Sequence, residues 1–458
     1  MEPADSPVQT AQGSPLAWLR GSAATRDAAW VLGAQGLTAL IALGVESLLF
    51  RTLAVPERGT LTAALALQAV FLLLCDLGIS LTTVRVGAEY FAKGMLAEAN
   101  VVFRRALLTR VILAVGITGL AFFLTPALLR FPLNAGHRTQ LVWSAAASLL
   151  GISVLLWGVD VAQSRRQFAL YFALQVVAAF ARAWVILVAA KRLTLNFTEE
   201  NALSAETVLW CIAGASCLVA LMAVILLRDT LSPPREMTPE AAGAIPQQVE
   251  SFGRYAAAMV LLAGASGYVE LFLLQTLLKP EDTAVFDGAR KLAQVLLVLT
   301  TALTTVLLPR AAALDGLAAC RRYVKKALLV TTPLAVLAAG GLALAAHVVV
   351  PVFWGDKYAA SVPALHWLCL AYAFNILLNP LTLVLFPLKR EGTVVLLNGI
   401  SLLLSIAAGC LLIPKFGAIG AAWSVLAVKA IIMLTCGVLL FSILRGDGQA
   451  PVQTPQAG

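Results

Sequence analysis

The chain has 458 residues, 60% of them hydrophobic and only 12% charged, with a mean hydropathy of +0.88. A soluble globular domain carries about 25% charged residues, so this composition excludes one. The formal net charge of +9 comes without basic patches interleaved with aromatics, which excludes a nucleic-acid-binding module.

Residues 1–28 are polar and lack the apolar core and small-residue cleavage site of a signal peptide, so they read as a cytoplasmic tail before an uncleaved signal-anchor. Apolar stretches long enough to cross a bilayer, about 20 residues each, then recur to the end of the chain. They are predicted near 29–50, 61–83, 107–129, 141–163, 168–190, 207–228, 255–278, 285–308, 328–351, 362–388, 393–413 and 418–444. The expected fold is an all-α polytopic membrane protein of about 12 transmembrane helices. An N-terminal six-helix lobe covers 29–228, a cytoplasmic linker 229–254, a C-terminal six-helix lobe 255–444 and a disordered tail 445–458.

One segment occurs twice. Val45–Glu57 reads VESLLFRTLAVPE and Val269–Glu281 reads VELFLLQTLLKPE, identical at Val45/Val269, Glu46/Glu270, Leu49/Leu273, Thr52/Thr276, Leu53/Leu277, Pro56/Pro280 and Glu57/Glu281. Each copy closes the first apolar segment of its half. An even number of spans per half makes the repeat parallel, with a pseudo-two-fold axis along the membrane normal. Of the 33 Lys and Arg, twenty fall on the side of the N-terminus, eleven on the other side, and Arg182 and Lys429 within spans. Both termini are therefore expected in the cytoplasm, facing anionic headgroups.

Charges inside spans are costly, so each needs a partner, a water-filled cavity or a helix end. Glu46 lies near the outer end of span one, and Gln35, Ala39 and Ala42 share nearly its face. Its repeat mate Glu270 shares a face with Ser266. Each glutamate reads either as a snorkelling or locally bonded residue or as a gating or coupling group. Duplication favours the second reading. Span eight sets Arg290, Gln294, Thr301 and Thr305 on one stripe, flanked by Lys291. These cations either reach headgroups or form an anion-binding wall in which Arg grips phosphate bidentately and Lys adds a point charge.

Arg182, on one face of span five with Tyr171 and Gln175, is too deep to snorkel and needs a partner or an anion. Asp76 and Asp160 read as that partner or as proton carriers; Lys429 is mid-span with no partner evident. Asn375, Asn379 and Thr382 share a face of span ten, which Pro380 and Pro387 are expected to bend. Segment 86–106 reads as a cytoplasmic interfacial helix.

No phosphate loop, nucleophile motif or metal spacing is present, so no enzyme is expected. The cysteines lack a C-x-x-C and read as buried small hydrophobes, and His137, His347 and His366 are far apart in sequence, so no metal is expected. Asn196-Phe197-Thr198 fits a glycosylation sequon. The outer loop near 190–206 is too short for an extracytoplasmic domain.

Four stretches carry a family resemblance: Arg51–Gly59 (RTLAVPERG), Cys75–Arg85 (CDLGISLTTVR), Phe286–Arg310 (opening FDGARKL, closing LPR) and Pro414–Trp423 (PKFGAIGAAW). With the layout of spans, they resemble the polysaccharide-transporter branch of the multidrug/oligosaccharidyl-lipid/polysaccharide exporter superfamily, the lipid-linked oligosaccharide flippases of O-antigen, capsule and exopolysaccharide synthesis. Val55 stands where that family often has a glycine before Pro-Glu.

The resemblance implies two lobes working by alternating access in a bacterial inner membrane. It implies an undecaprenyl-pyrophosphate-linked sugar unit as substrate, moved from the cytoplasmic to the outer leaflet through a hydrated, often cationic cavity. Arg290, Lys291 and Arg182, with Gln294 and Gln35, are the expected substrate-binding residues, and Glu46, Glu270, Asp76 and Asp160 the expected coupling or gating residues. Membrane lipids, a polysaccharide polymerase and a chain-length regulator are the implied partners of a monomer. No cofactor is expected, with a coupling proton or sodium ion left open. Two alternatives remain at this stage: a cation-coupled multidrug antiporter of the same superfamily, which the acids would suit and the cations would not, and a non-transporting component of an envelope-assembly complex.

Overall fold

The Pro-Glu pair carried by both copies of the repeat starts a helix each time. Proline supplies the helical φ where no N–H partner is required, and the acid faces the positive end of the helix dipole. In the structure, a computed structural model, these helices are α2 (Val55–Asp76) and α11 (Pro280–Ala293). Described are residues 23–195, 203–231, 253, 256–312, 314, 316–385, 387–388 and 390–445. Most of both expected tails, the sequon and positions 232–252 of the expected linker lie outside the described residues.

The other N-terminal helices are α1 (Ala23–Thr52), α3 (Ile79–Ala92), α4 (Leu96–Phe123), the short α5 (Thr125–Arg130), α6 (Thr139–Ser164), α7 (Phe168–Leu195) and α8 (Ala205–Leu226). Ser204 caps α8 by accepting from the Thr207 N–H at 3.3 Å. The C-terminal helices are α9 (256–266), α10 (Val269–Leu277), α11, α12 (Val295–Ala312), α13 (Leu317–Trp354), α14 (Ser361–Leu385) and α15 (Glu391–Arg445). Ten helical stretches among the described residues are long and apolar enough to cross a membrane.

The helices depart from the expected spans where the backbone breaks. The span expected at 61–83 is interrupted at Leu77 and Gly78, both left-handed, so Asp76 ends α2 instead of lying mid-helix. The interfacial helix expected over 86–106 is two helices, because Gly94 at φ 75° turns the chain between α3 and α4. Span eight breaks at Gln294, separating a polar α11 from an apolar α12. The expected gap between spans eleven and twelve is a kink within α15, at Gly417 (φ 58°, ψ −136°) shortly after Pro414.

Helices α1–α8 pack mainly on one another around α6, and α10–α15 mainly around α14. Small residues permit close crossings: a Cβ on Gly151 of α6 would stand 2.7 Å from the Cys217 backbone nitrogen of α8. The two groups meet where the repeats turn. There α2 lies along α11 so tightly that a Cβ on Gly59 would fall 1.8 Å from the Pro280 carbonyl oxygen. Beside it Phe50 of α1 packs against Trp354 of α13 with ring centroids 4.3 Å apart. Trp354 Nε1 donates to the Gly288 carbonyl at 3.0 Å. We call this the hairpin end of the molecule.

Candidate functional site

Arg58 lies one turn into α2, at the point where α2 crosses α11, and is fully buried at 0% exposure. A buried guanidinium requires counter-charges, and two reach the same Nη2: Glu46 Oε2 at 2.6 Å and Asp287 Oδ2 at 2.8 Å. The guanidinium also stacks over the Phe50 ring, 4.1 Å from its centroid. Thr62 donates to Asp287 Oδ2 at 2.9 Å, and Lys291 reaches back to Glu46 Oε1 at 2.7 Å. Arg290 Nε stands 3.6 Å from Asp287 Oδ1, while its Nη1 donates to the Gly267 carbonyl at 3.0 Å.

Two of these ion pairs, Arg58–Asp287 and Lys291–Glu46, tie the N-terminal helices to the C-terminal ones. Backbone contacts reinforce the tie. Ser47 Oγ donates to the Phe353 carbonyl at 2.6 Å and Lys357 Nζ to the Leu53 carbonyl at 2.7 Å. Arg51 donates to the carbonyls of Val352 and Phe353, where the end of α13 presents negative dipole. The hairpin end is thus latched.

Behind the latch lies a cavity of about 410 Å³ between the two helix groups, lined by Glu46 of α1, Thr62 and Gln68 of α2, Arg182 of α7, and Asp287, Arg290, Lys291 and Gln294. Arg182 donates from Nε to the Ala178 carbonyl of its own helix at 3.2 Å, and among the described residues no carboxylate pairs with it. Two carboxylates therefore face three lining cations, with Arg58 a fourth cation behind them. Such a cavity favours an anion.

A family model described as "Polysaccharide biosynthesis protein" matches residues 24–315, more than half of the chain. The chain belongs to the polysaccharide biosynthesis protein family. Three solved structures share the fold of this family member. It superposes on the lipid II flippase MurJ in an inward closed conformation with a TM-score of 0.68, 12% identity, and coverage of 90% of this chain and 86% of that one. An inward-facing multidrug resistance MATE family transporter of the MOP superfamily gives 0.60 at 14% identity, covering 94% and 98%. A MOP superfamily transporter from Pyrococcus furiosus, described as having a binding pocket of reverse polarity, gives 0.58 at 14% identity, covering 95% and 99%. Among curated proteins no match was found. The chain is thus a multi-pass membrane protein with the fold of MOP-superfamily transporters.

In this polysaccharide biosynthesis protein, five of the nine residues singled out from the sequence, Glu46, Arg182, Arg290, Lys291 and Gln294, converge on the cavity. Gln35 does not: it lies on an exposed stretch of α1 beyond Thr38, where the lining begins. Asp76 and Asp160 do not pair with Arg182. Both bind Arg110 Nη2, at 2.6 Å and 2.8 Å, and Ser80 Oγ donates to Asp76 at 2.8 Å. This cluster pins the α2–α3 break to α4 and α6, away from the cavity lining.

Glu270 faces a second cavity of about 210 Å³ within the C-terminal helices, shared with Lys429, Ser266 and Asn375. Arg290 and Gln294 line both cavities. Thr301 bonds back to its own helix and is not in either lining, and the side chain of Thr305 lies outside the described residues. His347 and His366, distant in sequence, bring their rings to 5.7 Å.

Sequence reasoning missed Arg58, Asp287 and Thr62. Arg58 and Asp287 sat inside the quoted motifs RTLAVPERG and FDGARKL. Arg58 directly follows the first Pro-Glu pair and Asp287 lies one to two turns after the second; opposite charges close to the two helix starts were the available signal.

Proposed function

We propose that the chain is a flippase moving an oligosaccharide, linked through a diphosphate to an isoprenoid lipid, from the cytoplasmic to the outer leaflet of a bacterial inner membrane for cell-surface polysaccharide synthesis. The observation that carries this reading is Arg182, which pairs with no carboxylate among the described residues and lines the cavity with Arg290 and Lys291. A diphosphate meets Arg182 without displacing any ion pair. It then draws Lys291 from Glu46 and Arg290 from Asp287, and bidentate guanidinium–phosphate geometry makes the exchange favourable.

The exchange removes one of the two ion pairs that latch the hairpin end, Lys291–Glu46. With both termini cytoplasmic, that end faces outward, so binding from the inside loosens the outer seal. The two helix groups, 29–228 and 255–444, act as the lobes of an alternating-access cycle. The apolar lining from Ile41, Leu65 and Ile186 suits the isoprenoid side of such a substrate.

A multidrug antiporter for cationic drugs needs a free carboxylate in the cavity. Glu46 and Asp287 are each engaged by two cations, so that reading is disfavoured. The test is reconstitution of the full chain in liposomes carrying a fluorescent undecaprenyl-diphosphate oligosaccharide. Flipping well above protein-free liposomes, lowered tenfold or more by Arg182→Gln, is the expected result. Efflux of a cationic dye without movement of the lipid would refute it.

A further inference from the structure

The second cavity has the ligands of an alkali-cation site and a cation of its own. Its lining offers the Glu270 carboxylate, the hydroxyls of Ser401, Ser405 and Tyr372 and the side-chain amide of Asn375. Such a set of oxygen donors is what a hard monovalent or divalent cation takes. Glu270 is only 4% exposed, and its side-chain partners among the described residues are neutral serine hydroxyls, Ser424 Oγ at 3.5 Å and Ser405. A carboxylate this buried must be balanced or neutralised.

Lys429 reaches the same cavity from the second half of α15. Among the described residues its ammonium makes no ion pair or hydrogen bond, so its counter-charge is Glu270 across the cavity. Arg290 lines the cavity as well, although Asp287 stands 3.6 Å from its Nε. A metal ion entering would meet two fixed cations and one carboxylate.

We infer that this cavity is an alkali-cation site whose cation is built in: the Lys429 ammonium takes the place of a coupling sodium or potassium ion, and removing it unmasks a metal site on Glu270. An ammonium is a compact, strongly hydrated point charge with three donors, so Glu270, Ser401, Ser405 and Asn375 can solvate it as they would a metal ion. Its tether to α15 keeps the ammonium in the cavity, where an ion would exchange with solvent. Because Arg290 and Gln294 line both cavities, the balance here also fixes how firmly Arg290 is held for the neighbouring anion site. This inference deepens the flippase reading by assigning its coupling: the cycle draws nothing from a sodium gradient.

The test reads metal binding without any transported substrate, so its outcome is separable from that of the flippase reading. The purified full chain in nanodiscs is melted in sodium chloride, potassium chloride or choline chloride at equal ionic strength. Wild type is expected to melt at the same temperature in all three. Lys429→Ala is expected to melt about 2–4 °C higher in sodium or potassium than in choline, and Lys429→Ala/Glu270→Gln to lose that difference. Wild type stabilised by sodium, with the effect abolished in Glu270→Gln, overturns the inference. So does a monodisperse Lys429→Ala indifferent to all alkali cations. Should Lys429→Ala not fold, Lys429→Gln repeats the comparison, and the wild-type melts decide in any case.

Discussion

Replacing Arg58 by methionine keeps most of the side-chain volume and removes the charge that joins Glu46 to Asp287. Losing one partner of a buried ion pair costs about 3–5 kcal/mol. Here Glu46 keeps Lys291 at 2.7 Å and Asp287 keeps Thr62 at 2.9 Å, so the low end, about 3 kcal/mol, applies. Arg58 divides its contacts between its own helix group and the other. About half of the loss, about 1.5 kcal/mol, therefore falls on the closed hairpin end, a roughly tenfold shift towards opening. The assay is labelling of Ala69→Cys, which lines the cavity on α2, by an impermeant maleimide applied outside intact cells, in a chain with its native cysteines replaced. Arg58→Met and Asp287→Asn should each speed labelling about tenfold, and the double variant no more than either, because both cut the same bond. Unchanged labelling in Arg58→Met, or a hundredfold gain in the double variant, would refute the latch.

Other outcomes follow from the same contacts. Gly59→Ala sets a methyl group 1.8 Å from the Pro280 carbonyl oxygen, so it should speed the same labelling with no change of charge, at an overpacking cost of about 1–3 kcal/mol. Arg110→Gln leaves Asp76 and Asp160 facing each other without their shared cation. It should lower the melting temperature by several degrees, whereas Asp160→Asn, which removes one of two carboxylates on one arginine, should cost far less. The opposite ranking would mean that the cluster does not stabilise the α2–α3 break. Ser204→Ala removes the cap of α8 and should cost about 1 kcal/mol in a thermal melt without altering labelling of the cavity.

The fold was legible where the signal is periodic and long. Apolar runs of bilayer length marked the helices, and the repeated Pro-Glu marked two helix starts that the structure brings into contact. Breaks within helices were less legible where Leu77-Gly78 and Gln294 interrupt runs whose hydropathy continues across them, whereas the kink at Gly417 falls in the expected gap between 413 and 418. Helical periodicity put Arg290 and Gln294 on one stripe with Lys291 beside it, and these three with Glu46 line the cavity, whereas Thr301 of the same stripe does not. It failed for Gln35, which shares the face of Glu46 but lies beyond the end of the cavity, since a face is periodic and depth is not. Asp76 and Asp160 were recognised as needing a cation, yet the partner was Arg110. Which arginine reaches a carboxylate depends on how helices pack, and that is written in no single segment. Arg58 was overlooked because a sequence places it in a loop near water, whereas the crossing of α2 and α11 buries it.

The most direct test of the central claim is binding of a diphosphate-linked lipid to the cavity. Native mass spectrometry of the full chain with an undecaprenyl-diphosphate oligosaccharide, and with the same oligosaccharide on a neutral isoprenoid linkage, compares the two ligands on one protein. Clear preference for the diphosphate is expected, reduced about tenfold or more in Arg182→Gln and further in Arg182→Gln/Lys291→Gln. Equal binding of the neutral lipid, or a preference for the diphosphate that survives loss of both cations, would contradict it.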